Sequence, residues 1–245
     1  MKLSKVLSTA IVLNCSLSTL ANDCMLDEGT LLKAEQGITE AQSWDCGPRA
    51  ISVALSMLDA KLDNIPDFIE NTPRTIGYPQ CEDMISLTEA VIEQIPFAGI
   101  FLDSINVGPY AKCLVSYANE AQDRFVLTHS VSTNFDETLS LIKQELSAGK
   151  PVIVKIANGL FLHYQLIVGV NEDAEEVTVM HSEDGSVEVW NFEKLKEASN
   201  ISSYHLQLIK QIARNRMLGS VQFILKKQIV SEILAGYNLI RFSPK

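Results

Sequence analysis

Apolar residues recur along this chain at two different periods, and the change from one to the other divides it in two. Up to about residue 149 the spacing is that of helices. Residues 46–58 form the strongest stretch, nearly all apolar, with Asp45 placed to cap it and Pro48 suited to its first turn. Met84, Leu87, Val91 and Ile95 mark a second helix over 83–95. A third is expected over 110–121. A strand at 124–131 precedes a fourth helix over 135–149, which carries Leu139, Leu141, Ile142 and Leu146 and stops at Gly149. From Pro151 the pattern shortens to β-branched runs at 151–156, 163–170, 177–181 and 187–190, separated by turn residues. That is the signature of an antiparallel sheet. A helix over 192–198 follows. Residues 203–235 then read as one long helix or two, with Gly219 as the break, and 237–242 as a closing strand. Helices first and sheet second describe an α+β domain of two lobes with a cleft between them.

The chain has 245 residues, 47% of them hydrophobic, enough for one domain with its own core. No repeat, low-complexity tract or linker divides it. Residues 1–21, MKLSKVLSTAIVLNCSLSTLA, have the build of a secretory signal: Lys2 and Lys5 form a basic end, 6–20 is weakly apolar, and Thr19-Leu20-Ala21 offers a cleavage site. The run is too short and too rich in Ser, Thr and Asn for a good membrane span; an uncleaved anchor is the alternative. Asn14 disfavours lipid attachment at Cys15, since such sites want a small residue there. The expectation is therefore an exported protein, periplasmic or secreted, with one domain over 22–245 and a helical insert at about 203–235. The formal net charge of −10 moves to near −12 when Lys2 and Lys5, and no acid, are removed. No basic patch is present for a phosphate backbone, so nucleic-acid binding is not expected.

Four cysteines remain after trimming: Cys24, Cys46, Cys81 and Cys113. Export makes disulfides available. If one cysteine is a nucleophile the other three cannot all pair, and Cys81 with Cys113 is the first choice. Cys46 has the setting for that nucleophile. Within Trp44-Asp45-Cys46-Gly47-Pro48 it opens a helix, where the dipole and unpaired N–H groups favour a thiolate. Gly47 removes side-chain bulk beside the sulfur, and the Cys46 N–H is available to an oxyanion. A buried or disulfide-bonded cysteine is the plainer alternative. Far along the chain, Gly149-Lys150-Pro151-Val152-Ile153-Val154 leads into His163-Tyr164 and an apolar strand ending at Gly169-Val170. His163 at that strand start is the partner a thiol nucleophile needs. His129 and His205 read as surface or packing residues. No His/Cys cluster has zinc spacing and no Gly-rich phosphate loop is present, so no metal or organic cofactor is implied.

These segments resemble the papain-like cysteine peptidases that process double-glycine leader peptides of bacteriocins, and their stand-alone secreted relatives. The matching residues are Cys46-Gly47, the Gly149 to Ile153 run, and His163-Tyr164 with Gly169; the resemblance spans about residues 36–190. It implies a papain-like two-lobe fold, with a helical lobe carrying Cys46 and an antiparallel sheet lobe carrying His163. It also implies cleavage of a peptide or protein amide through a Cys–His site. Phytochelatin synthases share this plan, so an acyltransferase or transpeptidase using the same acyl-enzyme is a second reading. The sequence departs from the family at two places. The oxyanion-hole glutamine, usually six residues before the cysteine, is replaced by Glu40; Gln42 is the nearby substitute. The aspartate after the histidine strand falls at His181-Ser182. Asp184 or His181 is then the group expected to orient His163, although Glu183-Asp184-Gly185 also reads as a simple turn. A third reading keeps the fold as a binding module with a degraded site.

Overall fold

A computed structural model describes residues 23–38, 46–60, 62, 65, 67–68, 111–158, 161–200 and 236–245. The expected signal, Asp45, Glu40, Gln42, Cys81, His205, the helix at 83–95 and the insert at 203–235 lie outside the described residues. So does the proposed Cys81–Cys113 pairing. Among the described residues no helix is long and apolar enough to cross a membrane.

The fold is α+β, as the change of period indicates, and papain-like, as the resemblance implies. A seven-stranded antiparallel sheet runs β2-β7-β3-β4-β5-β6. Its strands are β2 (Phe125–Ser132), β3 (Val152–Asn158), β4 (Phe161–Asn171), β5 (Glu176–Met180), β6 (Val187–Asn191) and β7 (Tyr237–Pro244). The short β1 (Asp23–Met25) pairs with the far end of β4, at Gly169 to Asn171. β7 is no edge strand. It lies inside the sheet, between β2 and β3, so the last strand of the chain completes the core.

The helices are α1 (Glu28–Lys33), α2 (Cys46–Met57), α3 (Ala111–Ala121), α4 (Phe135–Ser147) and α5 (Phe192–Ser199). α4 shows how local chemistry sets an element's limits. The Asn134 side chain accepts from the N–H of Asp136 at 2.8 Å and caps the start, and two acids occupy the first turn. Leu139, Ile142 and Leu146 form the buried stripe. Gly149, at φ +72°, then turns the chain into β3.

α2 is the central helix. Ala50, Ile51, Val53, Ala54 and Leu55 are fully buried, which is why the sequence there is apolar all round. It packs against β4, β3 and α3. Gly47 makes that approach possible. A Cβ added there meets Leu114 Cδ2 of α3 at 2.8 Å and the Tyr164 ring of β4 at 3.2 and 3.3 Å. Both neighbours are buried and cannot move aside freely. Gly47→Ala is therefore expected to destabilise the fold by about 1–3 kcal/mol through overpacking, in spite of alanine's better helix propensity. Urea unfolding of the two proteins checks this. An alanine variant at or above wild-type stability would show that α2 has room to spare.

Candidate active site

Cys46 is the first residue of α2 and only 7% exposed. Its thiol is free. The sulfur therefore sits at the end of the helix where N–H groups lack intrahelical partners and the dipole is positive. His163 lies near the start of β4, opposite Ile156 of β3. Its side chain hydrogen-bonds that of Cys46. Two residues separated by 117 positions are thus brought together by the packing of α2 on β4.

The third group of the cluster is Glu183. Its Oε1 lies 2.7 Å from Nε2 of His163. That contact is close but poorly aligned as a hydrogen bond, so charge attraction carries it. With Nε2 turned to Glu183, Nδ1 is the ring nitrogen left for the sulfur. Burial opposes the charge on His163, but the contacts with Cys46 and Glu183 outweigh it and raise its pKa to about 10. Burial also opposes the charge on Glu183, yet the close His163 cation holds its pKa below the usual carboxylate range. At neutral pH the imidazole is therefore an imidazolium between a sulfur and a carboxylate.

The geometry places neither Asp184 nor His181, the two residues expected to orient His163, against its ring. Asp184 does not reach His163. Its Oδ1 accepts the Ser186 N–H at 2.9 Å and braces the β5–β6 turn. The Ser186 hydroxyl first, and this N–H second, lower its pKa. His181 is also turned away. Its Nδ1 meets Gln165 Nε2 at 3.1 Å and its Nε2 faces Glu188 Oε2 at 3.6 Å. The simple-turn reading of Glu183-Asp184-Gly185 holds for Asp184, while the first residue of that turn carries the contact. Register explains this. β4 and β5 pair Ile167 with Val179 and Leu166 with Met180. Continuing that register past the end of β5 sets His181 beside Gln165 and Glu183 beside His163. Gln42 and Glu40 lie outside the described residues. His129 bonds Asn238 at 2.8 Å between β2 and β7, in keeping with a packing role. Among the described residues no cluster of three or more His, Cys, Asp or Glu side chains is placed to hold a metal ion.

A family model described as "Peptidase_C39 like family" matches residues 39–207, which include Cys46, His163 and Glu183. The chain belongs to the peptidase C39-like family. That membership carries cysteine-peptidase-type activity and agrees with the papain-like fold. No curated protein matches the chain.

Proposed function

We propose that this C39-like protein is an exported thiol peptidase that cuts a peptide amide with Cys46, His163 and Glu183. The observation that carries the reading is one continuous contact chain, from a free thiol at a helix start to an imidazolium to a carboxylate. In this reading the Cys46 sulfur attacks the amide carbonyl carbon. The Cys46 N–H, with Gln42 from the preceding segment, receives the developing oxyanion. His163 gives its proton to the leaving amine as the C–N bond breaks, leaving a thioester on Cys46. His163 then takes a proton from water as it attacks the thioester, and the carboxylate product leaves. Glu183 holds the ring and stabilises its charged form. The finer resemblance, to peptidases of double-glycine leaders, makes a peptide with a Gly-Gly sequence the first substrate to try.

The test uses the secreted or periplasmic protein, whose mass should place its N-terminus near Asn22. Incubation with Gly-Gly-containing peptides should give two fragments, and a chloroacetamide peptide should label Cys46 alone. Added amine acceptors separate hydrolysis from acyl transfer: capture of the acyl group in preference to water assigns the transferase reaction. Sluggish labelling at neutral pH, with no turnover of a mixed peptide library, would reject the enzyme reading in favour of a binding module.

A further inference from the structure

β3 is buried on both faces, and strands of that kind are normally apolar throughout. Val152, Ile153, Val154 and Ile156 follow the rule, but Lys155 between them is only 7% exposed. A buried ammonium is costly, so its surroundings reveal its use. Lys155 pairs across the sheet with Tyr164 and shares its face. Its Nζ stands 5.7 Å from the centre of the Tyr164 ring. The same ring lies against Gly47, at 3.2 Å from the position of an added Cβ. One aromatic ring thus links the ammonium to the first turn of α2, where Gly47 follows Cys46.

We propose that Lys155 is a positioning residue of the Cys46–His163 site, its buried ammonium stabilising the thiolate of Cys46 from behind the Tyr164 ring. This rests on Cys46 being the reactive thiol. Burial lowers the pKa of Lys155 to about 8, and the charge of Cys46 works against that fall. Such an interaction is reciprocal: what the thiolate does for the ammonium, the ammonium does for the thiolate. Tyr164 carries the ammonium on its electron-rich face, 5.7 Å from the ring centre. Other charged groups are arranged differently. Arg49 is buried on α2, one turn on from Cys46, and Glu183 is paired with His163. β7 brings only Leu239 and Ile240 to its pairing with β3. On α4, Glu145 is engaged by Lys150 and Arg241, and on α5 the charged residues Glu193, Lys194, Lys196 and Glu197 face solvent.

The experiment is the pH dependence of iodoacetamide alkylation at Cys46 in the full mature protein, for wild type, Lys155→Met and Lys155→Arg. Peptide turnover is measured on the same samples. In Lys155→Met the alkylation midpoint should rise by about half a unit or more, about a threefold loss of thiolate at pH values below it. Lys155→Arg, which keeps the charge, should stay within about twofold of wild type. A merely structural lysine would change stability without moving this midpoint. Lys155→Gln replaces the methionine variant if that one does not fold. An unmoved midpoint in a folded neutral variant, or an equal shift in Lys155→Arg, overturns the proposal while leaving the peptidase reading intact. A low wild-type midpoint without peptide turnover sinks the peptidase reading alone. A wild-type midpoint near the free-thiol value of about 8.5 overturns both.

Discussion

Cys46→Ala is expected to abolish peptide turnover, and His163→Ala to reduce it by about 10²- to 10⁴-fold. Among the described residues no substitute nucleophile stands in the cluster. The other free cysteine among the described residues, Cys24, is on β1 and meets Ser147 of α4. The histidine variant fails for two reasons. The sulfur loses its hydrogen-bonded cation, and the leaving amine loses its proton donor. The double variant should then be little worse than Cys46→Ala, because members of one catalytic unit fail together. Cys46 is a small buried side chain, so Cys46→Ala should melt near the wild-type temperature, whereas His163→Ala strands the half-buried Glu183 carboxylate and should melt lower. Progress curves on a cleaved peptide, read beside melting curves, test this. Turnover in Cys46→Ala above a hundredth of wild type would transfer the chemistry to another residue.

Much of this arrangement is legible in the sequence because burial writes a period. The run at 46–58 is mostly apolar, and α2 (Cys46–Met57) is buried at every position but Ser56. The β-branched runs after Pro151 became β3 to β6 with ends shifted by two residues at most. Cys46 and His163 stood out because a thiol at a helix start and a histidine at a strand start are settings with a chemical use. The place of β7 inside the sheet was not legible. Strand order depends on contacts between distant segments, and nothing local to 237–242 reports it. Lys155 is a single polar letter in an apolar run, and its use depends on Tyr164 and Gly47, which meet it only in the fold.

Glu183 was within reach of the sequence, through a glycine. At the closed end of the hairpin β4 and β5 pair Asn171 with Glu176 and Gly169 with Thr178. That register, carried on unbroken, would set Asp184 opposite His163. A bulge between Ile167 and Gly169 shifts it by one residue, and Glu183 arrives instead. Glycine inside a strand often marks such a bulge, and Gly169 has the reason on view: a Cβ there would lie 3.0 Å from Thr178 Oγ1 and 3.2 Å from Met25 Cγ of β1. The one-residue shift is the whole difference between the residue the unbroken register would set beside His163 and the one the fold places there.

That difference sets up the second large expectation. Glu183→Gln should lower kcat/KM by about tenfold to a hundredfold, whereas Asp184→Asn should change it by no more than about twofold. The glutamine keeps an oxygen beside Nε2 but removes the charge that helps hold His163 protonated. Its pKa then falls from about 10 toward the ordinary histidine value of about 6.5. The direction of the pH effect follows. The competent form carries an imidazolium, so activity is lost as pH rises through the His163 pKa, and removing the Glu183 charge moves that alkaline limb to lower pH. Loss should therefore be mildest near pH 6 and steepest near pH 9. Asp184→Asn weakens a bond that braces the turn and should cost about 0.5–1.5 kcal/mol of stability while leaving the alkaline limb in place. The pH profile of kcat/KM for the two variants and wild type decides the matter. A larger loss in Asp184→Asn, or an alkaline limb that stays put in Glu183→Gln, would return the orienting role to Asp184 or leave the site as a Cys–His dyad.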